Sequence, residues 1–288
     1  MDHFRRFMLE NLDIRGIVVR LGPAWRAMIE GRAYAPPVAR TLGEMCAVTV
    51  AMGGQMKADG RLTFQLRGSG PVQRLVIDCE STDDALRLRG MATAANVVAD
   101  QPASDLLGHG QLVMTLDLPD ARQPFQSYVP LEGQRISDIF EHYVTHSEQQ
   151  PTRLVLAADD KHAAALLLQK LPDADRKDPD GWTRVQHLIE TAGPADLLGL
   201  DAETLLARLF HQETVRVYSP RAVRYHCPED WPKIHAMLRS LGPQELQAIL
   251  DEHGEIVVKD DICNREYRLG PSEVEALLAT PNDKPTLH

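Results

Sequence analysis

The chain has 288 residues, which is enough for more than one domain, since domains usually contain about 100 to 200 residues. With 43% hydrophobic and 25% charged residues its composition is that of a soluble globular protein, and no apolar run approaches the roughly 20 residues of a membrane helix. The formal net charge of -10 opposes the attraction to phosphates that dominates nucleic-acid binding, so we expect neither nucleic acid nor a membrane as a partner.

The start of the chain bears on its location in the cell. Residues 1–13 carry several charged side chains and lack the apolar core of a signal peptide. We therefore expect a cytoplasmic protein.

Residues 1–172 mix two hydrophobic periods. Helical spacing and capping signals, or strict alternation bounded by Gly and Pro, predict the type of each element. The predicted helices cover residues 2–12, 23–30, 36–57 and 137–146, and the predicted strands cover 14–20, 61–67, 111–117, 125–129, 154–157 and 164–169. The fold class is therefore α+β, with a mixed sheet and helices in an N-terminal domain.

Residues 173–220 form a different kind of segment. Residues 173–181 are charged, contain Pro and Gly, and have no apolar face, which predicts a linker or long loop. Apolar side chains at helical spacing between Trp182 and Phe210 then predict several short helices. Such amphipathic helices usually pack against their own chain. We describe 173–220 as a helical linker region.

The last segment, residues 221–288, is too small to hold much core. Units of this size often need a metal or another covalent or ionic staple. We treat it as a third, C-terminal domain.

The four cysteines fall into two groups. Cys46 and Cys79 lie in apolar runs and are expected to be buried core residues without chemistry. Cys227 and Cys263 lie in the sequences Tyr-His-Cys-Pro-Glu and Asp-Asp-Ile-Cys-Asn. Cysteines at positions 229 and 260 would complete C-x-C and C-x-x-C pairs about thirty residues apart, the pattern of a four-thiolate zinc site. A carboxylate occupies each of these positions.

Three interpretations of the four positions remain open. In the first, zinc is bound by Cys227, Glu229, Asp260 and Cys263, since carboxylates also ligate zinc, although structural sites mostly use Cys and His. His226 and His235 are nearby substitutes. In the second, the domain binds no metal and is held by packing or polar contacts across the same positions. In the third, Cys227 and Cys263, the redox-active candidates, form a disulfide between two separate segments.

Short motifs along almost the whole chain resemble, in the same order, the redox-regulated bacterial heat-shock holdase family called the 33 kDa chaperonins. They are Asn11–Gly16, Gly60–Leu66, Gly68–Pro71, Leu88–Gly90, Leu131–Gly133, Pro151–Leu154, Leu168–Pro172, Val223–Cys227, Leu241–Leu246, Gly254–Ile256 and Cys263–Tyr267. No single motif is very specific, but their order is. The resemblance runs from about residue 4 to about residue 278.

The resemblance implies an ATP-independent holdase that binds unfolding proteins under heat or oxidative stress, with an N-terminal chaperone core and a small C-terminal zinc or redox-switch-like domain. In the family, oxidation closes one disulfide in each cysteine pair, expels zinc and unfolds the switch domain and linker. The resemblance also implies that the helices of the linker region can be released to expose apolar surface. With only two sulfurs in this chain, we expect redox switching to be altered or lost, and heat or a client to activate instead.

Other classes of protein are less well supported. The sequence contains no phosphate loop, G-x-S-x-G, H-E-x-x-H or dinucleotide fingerprint, so we expect neither an enzyme nor a nucleotide cofactor. The alternative function is a zinc-ribbon adaptor that binds one defined protein partner. A homodimer of the active form is a further expectation.

Overall fold

A computed structural model describes residues 2–98, 101–147 and 149–279 of the chain. Two compact units are present, the first ending at His226 and the second beginning at Cys227. This division lies after His226, whereas the sequence suggests a boundary before residue 221. Residues 280–288 of the predicted last segment lie outside the described part.

The first unit contains strands and helices in mixed order. Its strands are β1 (His3–Leu9), β2 (Ile14–Leu21), β3 (Gly60–Gly68), β4 (Val72–Ser81), β5 (Ala85–Ala94), β6 (Gly110–Asp117), β7 (Phe125–Pro130), β8 (Thr152–Ala158), β9 (Ala163–Lys170), β10 (Val215–Val217) and β11 (Arg221–Tyr225). Its helices are α1 (Pro23–Ile29), α2 (Pro36–Gly53), α3 (Ala103–Leu107), α4 (Ile136–Ser147), α5 (Ala174–Lys177), α6 (Gly181–Glu190), α7 (Pro194–Gly199) and α8 (Ala202–Leu209). The predicted α+β class is confirmed.

The strands form one sheet in the order β7-β6-β3-β4-β5-β11-β1-β2-β9-β8, with β10 also paired to β1. The strand β11 is parallel to β5, where Val223 lies opposite Leu86, and antiparallel to β1, where Arg221 lies opposite Phe4. Its neighbours on both sides come from the first hundred residues. The sheet is therefore continuous through its centre because the chain returns there after the helical segment.

Hydrophobic side chains are buried on both faces of the β1-β2-β9-β8 part of the sheet. On one face, α2 packs against Ile17, Val19 and Leu167. On the other face, α6, α7 and α8 cover Val18 and Leu166. Residues 163–169 of β9 are all buried, as expected for a strand covered on both faces.

The predicted N-terminal helix over residues 2–12 is wrong, because His3–Leu9 forms β1. Phe4 and Phe7 are three residues apart, a spacing that places them on one face of a helix. In the strand they point to opposite faces, Phe4 into the core under α2 and Phe7 into the core under α6–α8. The helical spacing was misleading because this strand is buried on both sides.

The other predicted elements of the first domain occur near their predicted positions. The charged stretch 173–181 differs from the predicted loop, because it contains the one-turn helix α5 with a buried Ala174. Lys177 at the end of that helix forms an ion pair of 3.3 Å with Asp13, in the connection between β1 and β2. None of the helices in the described residues is long and apolar enough to cross a membrane.

The second unit is a small α+β arrangement. It contains α9 (Trp231–Leu241), α10 (Pro243–His253), β12 (Ile256–Asp260), β13 (Arg265–Leu269) and α11 (Pro271–Ala279). The strands β12 and β13 form an antiparallel hairpin, which the sequence analysis did not predict. Its core is built from Ile234, Leu238, Leu246, Leu250, Ile256, Tyr267, Leu269, Val274 and Leu277. Because this core contains so few apolar side chains, a covalent or metal cross-link would add substantially to its stability.

Glu44 on α2 generates a prediction about stability and pH. Burial raises the pKa of its carboxyl to about 7, while the nearby Arg40 and Arg135 oppose that shift. Because the pKa of Glu44 is higher in the folded state than in the unfolded state, binding of a proton to Glu44 stabilises the fold. This contribution to the free energy of unfolding is complete below the ordinary pKa of about 4.5 and is lost as the pH rises towards 7. Urea unfolding of the parent chain should therefore show a free energy of unfolding that falls over this range by up to about 3 kcal/mol.

The variant Glu44→Gln should lack this fall and should be more stable than the parent chain at pH values above the raised pKa. The exposed Glu30 provides a matched control. If Glu30→Gln and Glu44→Gln change the pH profile equally, the Glu44 carboxyl is not the cause.

Candidate functional site

Cys263 lies in the tight turn between β12 and β13. The Asp260 Oδ1 atom accepts hydrogen bonds from the backbone N–H groups of Ile262 at 3.0 Å and Cys263 at 3.3 Å. Asn264 has a φ of 49°, in the left-handed region that Asn tolerates better than most residues. The Asp-x-x-Cys-Asn sequence thus forms a compact turn that presents the Cys263 side chain.

Cys227 lies in an extended segment that leads into α9. The Arg265 Nη2 atom donates a hydrogen bond of 3.1 Å to the Cys227 carbonyl oxygen. The backbone N–H of Asp230 donates one of 3.0 Å to the Tyr267 hydroxyl, and the Tyr267 ring packs edge-on against Trp231 with ring centroids 4.8 Å apart. Two side chains of β13 therefore hold this segment beside the hairpin.

The sulfur atoms of Cys227 and Cys263 form a disulfide, with the two Cα atoms 5.7 Å apart. The bond joins positions 36 residues apart in the sequence. Both side chains are half-buried. The disulfide interpretation therefore describes this structure, and the bond lies between two separate segments because neither segment contains a second sulfur.

The two carboxylates of the predicted zinc site have other partners. The Glu229 Oε2 atom accepts a hydrogen bond of 3.0 Å from the Trp231 indole N–H, and Asp260 caps the turn described above. Within the described residues, no group of three or more His, Cys, Asp or Glu side chains is placed to hold a metal ion.

A cysteine binds zinc only as a thiolate, and the sulfurs of Cys227 and Cys263 are joined to each other in the disulfide. The residues therefore do not fit zinc in this form. The four-ligand site of Cys227, Glu229, Asp260 and Cys263 stays a prediction about the reduced chain.

The remaining cysteines, Cys46 and Cys79, are fully buried free thiols. Burial raises the pKa of the Cys79 thiol to about 12 and the pKa of the Cys46 thiol well above its usual range. Thiols with such pKa values form almost no thiolate, the species that oxidants attack. Both are core residues, as their apolar sequence context predicted.

Arg265, Tyr267 and Trp231 position the site but were not assigned a role by sequence reasoning. The first two belong to the Cys-Asn-Arg-Glu-Tyr motif on which the family resemblance partly rested. Alternation along the hairpin strand would have been the available signal, since Arg265 and Tyr267 lie two residues apart on one face. No pattern in the sequence indicated which other segment they would hold.

Comparison with known proteins gives consistent matches over nearly the whole chain. The family model described as the Hsp33 protein matches residues 2–270. A protein named 33 kDa chaperonin from Methylobacillus flagellatus is 36% identical over 97% of this chain and 95% of its own length. A protein of the same name from Chromobacterium violaceum is 38% identical over 92% of this chain and 90% of its own length.

A solved structure supports the fold. The crystal structure of the 33 kDa chaperonin from Thermotoga maritima has a TM-score of 0.81 to this chain and is 22% identical. The match covers 96% of this chain and 97% of the other.

The disulfide should carry much of the stability of the second unit. In the chain-entropy description, a bond between positions 36 residues apart contributes about 4 kcal/mol. The variant Cys263→Ser should therefore exchange amide hydrogens much faster than the parent chain across residues 227–279. Hydrogen exchange read by mass spectrometry measures this directly.

Reductant supplies the matched control for this prediction. It should accelerate exchange in the parent chain to the level of Cys263→Ser and should leave the variant unchanged. Equal protection of the parent and the variant without reductant would show that packing alone holds the second unit.

The predicted zinc site can be tested on the reduced chain. If Cys227, Glu229, Asp260 and Cys263 bind zinc, elemental analysis should find one zinc ion per reduced chain and none per oxidised chain. The double replacement Glu229→Cys with Asp260→Cys should raise zinc affinity, since thiolates are the preferred structural ligands. Metal-free reduced protein, with no change in exchange across residues 227–270 on chelation, would contradict the site.

Proposed function

The chain belongs to the Hsp33 protein family, and from this membership we propose that it is an ATP-independent holdase chaperone that binds unfolding proteins and prevents their aggregation. The supporting observation is the match over residues 2–270, together with relatives named 33 kDa chaperonin at 36% and 38% identity. A zinc-ribbon adaptor for a single partner is not favoured by these relatives.

The helices of residues 181–209 cover apolar surface that a holdase can use. They pack Val185, Ile189, Leu205 and Leu206 onto one face of the sheet. Beneath them lie Phe7, Leu9, Ile14, Val18, Leu166 and Leu168, all almost fully buried. Moving this helical layer would expose a continuous apolar face, and contiguous exposed apolar surface binds other unfolded chains.

The ion pairs that fasten this layer to the sheet are partly exposed. Arg5 on β1 contacts Glu203 on α8 at 2.6 Å, with the Glu203 side chain 55% exposed. Just before the layer, Lys177 on α5 contacts Asp13 at 3.3 Å. Exposed pairs of this kind contribute little to stability, typically about 0.2 to 1 kcal/mol each. The layer is therefore held mainly by its apolar contacts. A client protein that exposes apolar surface can compete with the layer for the same face of the sheet.

Redox control in this chain differs from a switch with two cysteine pairs. Reduction breaks, and oxidation forms, a single bond, Cys227–Cys263, between two segments. Oxidation therefore cross-links two segments of the second unit and does not close a separate loop within each segment. We propose that heat or client binding, more than oxidation, activates the holdase, so that redox switching is altered or lost.

Other features of the proposal follow from the family or stay predictions. The Hsp33 family is a chaperone family rather than an enzyme family, and the absence of catalytic activity in this chain stays a prediction. The sequence has no phosphate loop, in keeping with ATP independence. Client binding follows from the family. A homodimer, a cytoplasmic location and the absence of nucleic-acid and membrane partners stay predictions.

The chaperone proposal is tested by light scattering from a thermally unfolding client protein. The chain without nucleotide should reduce scattering in proportion to its concentration, because apolar surface released by the helical layer binds the client. Addition of ATP should have no effect. Undiminished scattering at several molar equivalents, at both ambient and heat-shock temperatures, would refute the holdase.

The same assay with the oxidised chain, the reduced chain and Cys227→Ser separates the redox proposal from the chaperone proposal. Peroxide should change the activity of the parent chain only weakly. A large gain under peroxide that disappears in Cys227→Ser would instead make the inter-segment disulfide the activating event.

A further inference from the structure

The strand β7 lies at one edge of the large sheet, and within the described residues only β6 pairs with it. In that pair Val129 lies opposite Leu112. The sequence of β7, Phe-Gln-Ser-Tyr-Val-Pro, contains no charged side chain. Edge strands offer unpaired backbone groups to other chains, and charged side chains are one of the usual means of preventing such pairing. The outer side of β7 is therefore a candidate interaction surface.

The opposite edge of the sheet, β8, is protected. The Lys170 backbone N–H donates a 3.0 Å hydrogen bond to the Pro151 carbonyl oxygen, so the odd-numbered residues of β8 bond to β9 and Leu154 is turned outwards. The Glu141 Oε1 atom on α4 accepts a 2.7 Å hydrogen bond from the Leu154 backbone N–H. A carboxylate therefore occupies the side of β8 on which a further strand would pair.

The register of β7 shows which of its backbone groups face outwards. The Leu131 N–H donates a 3.2 Å hydrogen bond to the Gly110 carbonyl oxygen, one position beyond the printed end of the β6–β7 pair. In an antiparallel pair, hydrogen-bonded and non-hydrogen-bonded positions alternate. The odd-numbered residues of β7 therefore bond to β6, and the N–H and C=O groups of Gln126 and Tyr128 point away from the sheet.

The outward groups of β7 are arranged symmetrically about Ser127. Gln126 and Tyr128 each offer one N–H and one C=O group. Pro124 and Pro130 are the next outward positions, and neither has an N–H group to donate. A surface whose groups are symmetric about its centre can pair with a second copy of itself across a twofold axis.

The side chains on the core face of β7 fit such a pairing. With the axis at Ser127, Phe125 lies opposite Val129 of the second copy. The Phe125 side chain is 60% exposed, whereas Val129 belongs to the main core. Pairs of an aromatic and a β-branched side chain are favourable across antiparallel strands. A shift of two residues would place Phe125 opposite Ser127, or opposite Leu131 beyond the end of the strand.

The side chains on the other face of β7 are also complementary. The axis at Ser127 places Gln126 opposite Tyr128 of the second copy. Within one strand the Tyr128 hydroxyl already donates a 3.0 Å hydrogen bond to the Gln126 Oε1 atom, and Tyr128 is 58% exposed. The same two groups can bond across the axis. No like charges oppose each other, because β7 is uncharged.

We propose that two copies of this chain associate through β7, antiparallel about a twofold axis at Ser127, so that the two large sheets become one. The four outward N–H groups at Gln126 and Tyr128 of the two strands then have carbonyl acceptors in the other copy. The pairing covers a short strand, so association should be reversible and should depend on concentration. The proposal does not depend on the holdase function.

Sedimentation velocity of the full chain over a series of concentrations tests the proposal. The parent chain should change from monomer to dimer as its concentration rises. The double variant Gln126→Lys with Tyr128→Lys places lysines opposite lysines across the axis, and Gln126→Glu with Tyr128→Glu does the same with carboxylates. Each should raise the concentration of half-dimerisation about tenfold. Both positions are exposed, so the changes should leave the monomer folded.

An equimolar mixture of the two double variants distinguishes this interface from any other. Lysines of one copy then face carboxylates of the other, and dimers should form at the concentration that the parent chain needs. A matched control, Gln73→Lys with Gln244→Lys, adds the same charge at exposed positions outside β7 and should dimerise like the parent chain. A mixture that stays monomeric, or a control that is weakened equally, would overturn the proposal.

Hydrogen exchange provides a readout that needs no substitution. The amides of residues 125–130 should exchange more slowly at concentrations where the dimer forms than in dilute solution. A chain that stays monomeric at every concentration, or a dimer whose β7 amides gain no protection, would refute the interface. If the charge variants of a monomeric chain instead change its suppression of client aggregation, the β7 edge pairs with clients and the proposal is wrong.

Discussion

The strand β11 is the constraint on which the first unit depends. It pairs with β5 on one side and β1 on the other, and within the described chain it joins the two halves of the sheet. Its Val223 side chain is buried in the main core, and the Arg221 guanidinium donates to Ser81 and Thr82 at the end of β4. The sheet is complete only when the chain has passed through the helical segment and returned.

This topology places the helical layer between two strands of the same sheet, β9 before it and β10 after it. Helices α6 to α8 are connected to the sheet by the short strand β10, which pairs with β1 at Phe7–Leu9. The layer covers apolar side chains on β1, β2, β8 and β9, and the ring centroids of Phe7 and Phe210 lie 6.1 Å apart within it. Exposing this apolar face to water costs free energy. Once it is exposed, its burial against a client is favourable, because removal of apolar surface from water drives both processes.

The second unit shows how a small domain with few apolar side chains is held together. Its hairpin turn and the segment before α9 are joined by one covalent bond, by the Arg265 contact to Cys227 and by the Tyr267 contact to Asp230. The carboxylates Glu229 and Asp260 serve local hydrogen bonds in this form. The chemistry available at the site is therefore reduction of one half-buried disulfide, while the two other cysteines are inert because they are buried.

The sequence by itself determined the α+β class, roughly half of the described elements, the buried state of Cys46 and Cys79, and the distinction between these two core cysteines and Cys227 and Cys263. These features depend on local periodicity, on apolar context or on the order of motifs, all of which are written along the chain. Tertiary structure decided the rest. Phe4 and Phe7 belong to a strand because partners on both sides pair with it, and residues 221–225 complete the central sheet because β5 and β1 leave room for them. The partner of Cys227 was one of three open interpretations, since the distance between two segments 36 residues apart is set by packing and not by sequence spacing.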